Sequence, residues 1–102
     1  LIVGPETGVL NAAGLLPVPK VVFLSHSSHE NLTRDWVNAT VLEPVNTPCY
    51  PCHRLHYTRD FCPETLDARA KGAAMCAASI VWPRVCSAIV DCLNARKADA
   101  AA

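Results

Sequence analysis

Apolar positions along this chain follow two rhythms. In the first half they come as short unbroken runs: Leu1-Ile2-Val3, Val21-Val22-Phe23-Leu24 and Ala39-Thr40-Val41-Leu42. Each is too short for a helix. Their β-branched and aromatic content, and the proline or polar residues that bound them, predict buried strands. Gly4-Pro5 breaks the first run, Pro19-Lys20 bounds the second, and Glu43-Pro44 closes the third. Between the first two runs, Thr7 to Ala13 fits a short helix ended by Gly14 and, shortly after, Pro17. Ser25 to Asn31 is a polar loop with room for one helical turn. Strand, helix, strand, loop, strand is the rhythm of an α/β unit with a parallel sheet.

The second half is patterned differently. Residues 44–63 hold four prolines, three cysteines, two histidines and two tyrosines without clean periodicity. They read as a long irregular loop that something must pin down. Pro63-Glu64 then opens a helix, with proline in its first turn. Leu66, Ala70, Ala73, Ala77 and Ile80 give that helix one apolar face. Trp82-Pro83 breaks it, because proline disfavours helical geometry in the residue before it. A last helix runs from Pro83 to about Lys97 with Val85, Ile89 and Leu93 on one stripe, and residues 98–102 read as a frayed tail. The expected division is therefore 1–43, an α/β core; 44–63, a cysteine-rich loop; and 64–97, C-terminal helices.

Composition narrows the function classes. With 102 residues, 51% of them hydrophobic, the chain is one small domain with enough apolar matter for a packed core. Its formal net charge is zero, so nucleic acid is not an expected partner. Residues 1–47 carry two basic and four acidic residues, and the remainder seven basic and five acidic, an asymmetry too small to imply a charged partner. No apolar run has the length of a membrane span. No secretory signal opens the chain, so a cytoplasmic home is expected, and Asn31-Leu32-Thr33 and Asn38-Ala39-Thr40 are read as chance glycosylation patterns. The opening Leu1-Ile2-Val3-Gly4-Pro5, without methionine, reads as a strand cut into from upstream, and so as part of a larger protein.

The segment from Gly4 to Ala13 carries the most chemistry. It sets a strand end, a tight turn with Thr7 and Gly8, and a helix start in immediate succession. The first N–H groups of a helix lack partners and carry partial positive charge. Gly8 lets a phosphate approach the backbone, and Thr7 adds a hydroxyl donor. The turn lies beyond a strand's carboxyl end, where open α/β sheets bind ligands. A Thr-Gly helix start capped by Glu6, with no ligand, accounts for the same residues.

Gly4-Pro5-Glu6-Thr7-Gly8-x-x-Asn11-x-Ala13, followed by Pro19-Lys20-Val21-Val22-Phe23-Leu24, resembles the C-terminal domain of the ADP-heptose:lipopolysaccharide heptosyltransferase family, glycosyltransferase family 9. That family typically shows an Asp-Thr-Gly-x-x-His-x-Ala turn and then Pro-x-x-x-Leu-Phe-Gly. Cys49-x-Pro51-Cys52, Cys62, Cys76-x-x-x-Ile80 and Val85 are similar, in the same order, to the cysteine-bearing tail of many members. Glu6 stands where the family usually has Asp, and Asn11 where it often has His. Ser25-His26-Ser27-Ser28-His29 replaces a Gly-Pro-Thr loop.

The resemblance implies a Rossmann-like half of a two-domain transferase of the GT-B type: about three parallel strands plus two C-terminal helices. The implied function is binding of a nucleotide-diphosphate sugar for transfer to an acceptor hydroxyl. Glu6, Thr7, Gly8, Val9 and Asn11 would line the donor diphosphate. The catalytic base and the acceptor site would come from a partner N-terminal domain, so this chain holds no catalytic residue of its own and is inactive alone. The alternative is a non-catalytic structural or interaction module derived from such a domain.

Cys49, Cys52, Cys62 and Cys76 are the second cluster. Cys49-x2-Cys52 is a zinc half-site, but Cys62 and Cys76 lie too far apart in sequence for a matching second half. A structural zinc, two disulfides and buried free thiols all remain open, and each is a structural role. No other cofactor is expected. Cys52 beside His53 and His56 has the residue types of a nucleophile and base, but neighbours in an irregular loop show no oxyanion site. Cys86 and Cys92, on different faces of the last helix, read as core residues. Trp36 and Trp82 read as packing residues, and His26 and His29 as solvated loop residues at the ligand end of the sheet.

Overall fold

The computed structural model describes residues 1–52, Cys62 and residues 74–101. Three strands, β1 (Ile2–Pro5), β2 (Lys20–Phe23) and β3 (Ala39–Leu42), form one parallel sheet in the order β1-β2-β3. Ile2 pairs with Lys20 and Lys20 with Ala39, and the register runs on to Pro5, Phe23 and Leu42. The short helix α1 (Gly8–Ala13) lies in the first crossover and a π-helical turn (His29–Thr33) in the second. Two helices follow, α2 (Met75–Ser79) and α3 (Trp82–Ala101). The molecule is thus the small α/β unit that the rhythm of apolar runs predicts.

A strand's side chains alternate between faces, so a parallel sheet covered on both sides needs near-continuous apolar runs. Val21 and Leu42 face α3 and form a core with Val85 and Ala88, against which Phe23, Ile80, Ile89 and Cys92 pack. On the other face Leu10, Val22 and Leu24 form a second core, joined by Ile2, Leu32, Trp36, Val41 and Tyr50. Thr33 is buried in the π-helical turn, whose start is closed by a capping box between Ser28 and Asn31.

Several boundaries differ from expectation. Gly4-Pro5 does not break β1; the strand runs through Pro5, which an edge strand tolerates because one side has no ladder to serve. Lys20 is not a polar boundary marker but the first residue of β2, and its side chain is fully buried. Its ammonium donates to the carbonyls of Leu16 at 2.9 Å and Val37 at 2.5 Å, so one cation ties together the ends of both crossovers. Burial pulls its pKa below the usual lysine range. Gly14 ends α1 in ordinary right-handed geometry. It is required for space: a β-carbon there would meet the Trp36 indole at 2.8 Å.

The stripe of α3 is also rotated from the expected one. Val85, Ala88, Ile89 and Cys92 face the sheet, whereas Leu93 is 44% exposed. The helix continues through residues 98–101, expected to fray. Trp36 packs as expected, but Trp82 is 69% exposed and does not serve as a packing residue among the described residues. Of the helix expected from Pro63, residues 75–79 are helical; Leu66, Ala70, Ala73 and the helix start at Pro63 lie outside the described residues.

Candidate functional site

The carboxyl ends of the strands gather the polar chemistry of the molecule. Register explains how. Pro5 pairs with Phe23, so the residue after Pro5 lies beside the chain leaving β2. That residue is Glu6, and its Oε1 accepts from three successive backbone N–H groups: Ser25 at 2.5 Å, His26 at 2.8 Å and Ser27 at 3.2 Å. Consecutive N–H groups converging on one point make an anion-binding concavity, and here the anion is the chain's own carboxylate. Glu6 is therefore not the cap of α1. Thr7 occupies the cap position, with no side-chain hydrogen bond to the helix.

Glu6 fixes the loop after β2, and that loop fixes a second pair. Cys52 donates its N–H to Ser25 O at 3.4 Å, and its Sγ stands 3.4 Å from His26 Nδ1. Among the described residues, Cys52 thus pairs with His26, 26 positions upstream; His53 and His56 lie outside the described residues. His29 is the more exposed histidine of the loop, and its Nδ1 pairs with Thr33 Oγ1 at 2.7 Å. Neither histidine is simply solvated. Asn38, in the second glycosylation-like pattern, spends its amide on Pro17 O at 2.8 Å.

Below this loop, the Tyr50 hydroxyl donates to Glu43 Oε2 at 2.7 Å. Burial first, and then the Glu43 carboxylate, push the Tyr50 hydroxyl far above the usual tyrosine pKa. Arg84 donates to Glu43 O at 3.1 Å, tying the start of α3 to the end of β3.

A cleft of about 220 Å³ opens at the same end of the sheet. Pro5 from β1, Phe23, Leu24 and Ser25 from β2 and its exit, and Ala77, Ile80 and Val85 from the helices line it. Its lining is apolar except for Ser25. Thr7, Gly8, Val9 and Asn11 follow Pro5 along the chain and are all exposed. A β-carbon at Gly8 would meet nothing within 4 Å, so the space beside its backbone is open.

The cysteines divide into two groups. Cys92 packs against the α3-side core, with Sγ 3.5 Å from Thr40 Oγ1. Cys49, Cys52, Cys62 and Cys76 are half-buried free thiols, as is Cys86. Burial pushes the Cys76 thiol up, an Ala77 backbone hydrogen bond pulls it down, and the thiols of Cys49, Cys62 and Cys52 add to the upward push. Among the described residues, no three His, Cys, Asp or Glu side chains are already arranged around a metal position.

Sequence reasoning missed the Glu6 contacts, the His26–Cys52 pair and the Tyr50–Glu43 bond. Only the first had a readable signal: a carboxylate one residue past a strand end, beside a polar turn on the neighbouring parallel strand.

No protein-family model, curated protein or solved structure matches the chain. Fold and site define a small parallel α/β unit with a cleft at the carboxyl end of its sheet. No helix among the described residues is long and apolar enough to cross a membrane.

Proposed function

We propose that this unit is the nucleotide-sugar-binding half of a glycosyltransferase. The observation that carries the reading is the cleft beyond the carboxyl ends of β1 and β2, continuous along the chain with the exposed Thr7-Gly8-Val9 turn. Parallel α/β sheets bind ligands at that end. The apolar walls suit a nucleobase or sugar face. The Thr7 hydroxyl and the backbone N–H groups of Gly8 and Val9 suit a diphosphate.

In the proposed reaction the bond from the sugar's anomeric carbon to the diphosphate breaks, and one to an acceptor hydroxyl oxygen forms. The acceptor's proton passes to a base on a partner domain, and negative charge builds on the departing diphosphate. Donors already aimed at that charge stabilise the transition state more than the ground state. Glu6 takes a different part from direct contact with the donor: it holds the loop at Ser25–Ser27, whose Ser25 lines the cleft, in place. A cytoplasmic location belongs to the same reading.

The test is NMR titration of the isotope-labelled chain with ADP, UDP and their sugars up to millimolar concentration. Shifts are expected at Thr7, Gly8, Val9, Phe23 and Ser25. Gly8→Ala should leave the fold and melting temperature unchanged, because its space is open, yet weaken binding at least tenfold. Absence of any shift at millimolar ligand would leave the unit a structural or interaction module.

A further inference from the structure

We infer that Cys52, with His26 as its base, is a nucleophilic thiol that undergoes exchange with disulfides of low molecular weight. The two residues lie 26 positions apart in sequence, and the fold joins them twice. The Cys52 N–H donates to Ser25 O at 3.4 Å, and the Cys52 Sγ stands 3.4 Å from His26 Nδ1. A thiol within hydrogen-bond reach of an imidazole is the arrangement that activates a sulfur nucleophile, provided a third group orients the base. Here that group is Glu6. Its Oε1 accepts the N–H of His26 at 2.8 Å and those of Ser25 and Ser27 on either side, and so fixes the backbone that carries the imidazole. Cys52 is half-buried and belongs to neither core, so a small reagent can reach it. Cys92 gives the contrast within the same fold: it packs against the α3-side core, and its sulfur stands 3.5 Å from Thr40 Oγ1, a hydroxyl that cannot serve as a base near neutral pH.

The substrate class follows from the charge each reaction develops. Attack on an acyl carbon builds an oxyanion, which needs N–H donors aimed at it. The three N–H groups that converge at Ser25, His26 and Ser27 are already taken by the Glu6 carboxylate, and that negative charge repels a second anion. Attack on a disulfide sulfur builds no oxyanion. It needs a thiolate to attack and a proton for the thiolate that leaves. One imidazole supplies both. In the tautomer with Nδ1 unprotonated, the Cys52 thiol gives its proton to Nδ1. Its sulfur then bonds to one sulfur of the reagent while the reagent's own S–S bond breaks. The electron pair of that bond departs with the second sulfur, which takes the proton from Nδ1. One protein thiol and one disulfide thus become one mixed disulfide and one free thiol. Cys52 is oxidised, the departing sulfur is reduced, and the imidazole ends as it began.

The full chain, reduced and then freed of reductant, is treated with 2-hydroxyethyl disulfide at neutral pH, quenched with acid at early times and mapped by peptide mass. Cys52 should take up the hydroxyethylthio group at least about tenfold faster than Cys86 or Cys92. In urea that preference should vanish, because unfolding separates Cys52 from a partner 26 positions away. His26→Ala keeps the backbone N–H that Glu6 binds, so the loop should hold while the Cys52 rate falls at least about tenfold. Imidazole added to that variant should restore part of the lost rate at Cys52 and leave Cys86 unchanged, which a merely structural role for the ring would not allow. Where His26→Ala fails to fold, the comparison of folded and urea-unfolded wild type decides alone. A Cys52 rate no greater than that of Cys86, a preference that persists in urea, a His26→Ala rate equal to wild type, or a loss that imidazole does not relieve would each overturn the inference.

Discussion

Single residues in this protein are decided by what their neighbours leave unsatisfied. Three backbone N–H groups leave β2 pointing the same way, and Glu6 Oε1 takes all of them. A carboxylate accepting several backbone donors is a strong local anchor, since hydrogen bonds to charged groups contribute about 1.5–3 kcal/mol each in mutational series. Glu6→Ala should therefore lower stability by about 2–3 kcal/mol, read as a shift in urea midpoint, and Glu6→Gln by less. A midpoint unchanged in Glu6→Ala would show that water replaces the carboxylate without loss. Lys20 follows the same logic in reverse. Its buried ammonium is compensated by the carbonyls of Leu16 and Val37, one from each crossover.

At the scale of elements, α3 shows how a helix chooses its buried face. The sequence offers two apolar stripes. Val85, Ala88, Ile89 and Cys92 repeat at the i, i+3, i+4, i+7 spacing of a buried face, and the small Ala88 lets the helix approach Val21 and Leu42. The other stripe, with Val90 and Leu93, stays about half exposed. Removing two methyl groups from the packed side should cost more than removing an isopropyl group from the open one. Val85→Ala is expected to destabilise by about 1–3 kcal/mol, and Leu93→Ala by less than about 0.5 kcal/mol. Equal losses in thermal melts would mean that the packed face is the wrong one. Element existence was legible for β2, β3 and α1 because short β-branched runs and a Gly-Pro exit carry local signals. The end of β1 and the face of α3 were not legible, because an edge position and a partner surface decide them.

For the whole molecule, pH reads out how burial is distributed. The Tyr50 hydroxyl keeps its proton far above its ordinary value of 10.0 because it is buried and bonded to Glu43. The Cys76 thiol is raised from 9.0 by burial and by its neighbouring thiols. In both cases the folded chain holds a proton that the unfolded chain gives up, so stability falls as pH rises above these ordinary values. Lys20 works oppositely: lowered from 10.5, it is less protonated in the folded chain, so its contribution rises with pH up to that value. The tyrosine shift is the largest, so the balance is a loss of stability above about pH 10. Urea midpoints at pH 8 and pH 11 should show that loss, and Tyr50→Phe should shrink it. An identical drop in Tyr50→Phe would assign alkaline unfolding to other groups.

What the sequence by itself determined is the set of local features: three short apolar runs, a helix start at Thr7-Gly8 and a break near Trp82-Pro83. Each rests on interactions within a few residues, which is the range over which periodicity and turn chemistry act. The tertiary structure alone decided the rest. It turned Glu6 from a helix cap into the anchor of the neighbouring loop, and it brought Cys52 to His26 across 26 positions. It buried Lys20 where a boundary residue was expected. Those outcomes depend on which strand ends lie side by side, and parallel pairing between distant segments leaves no mark in any single stretch of sequence.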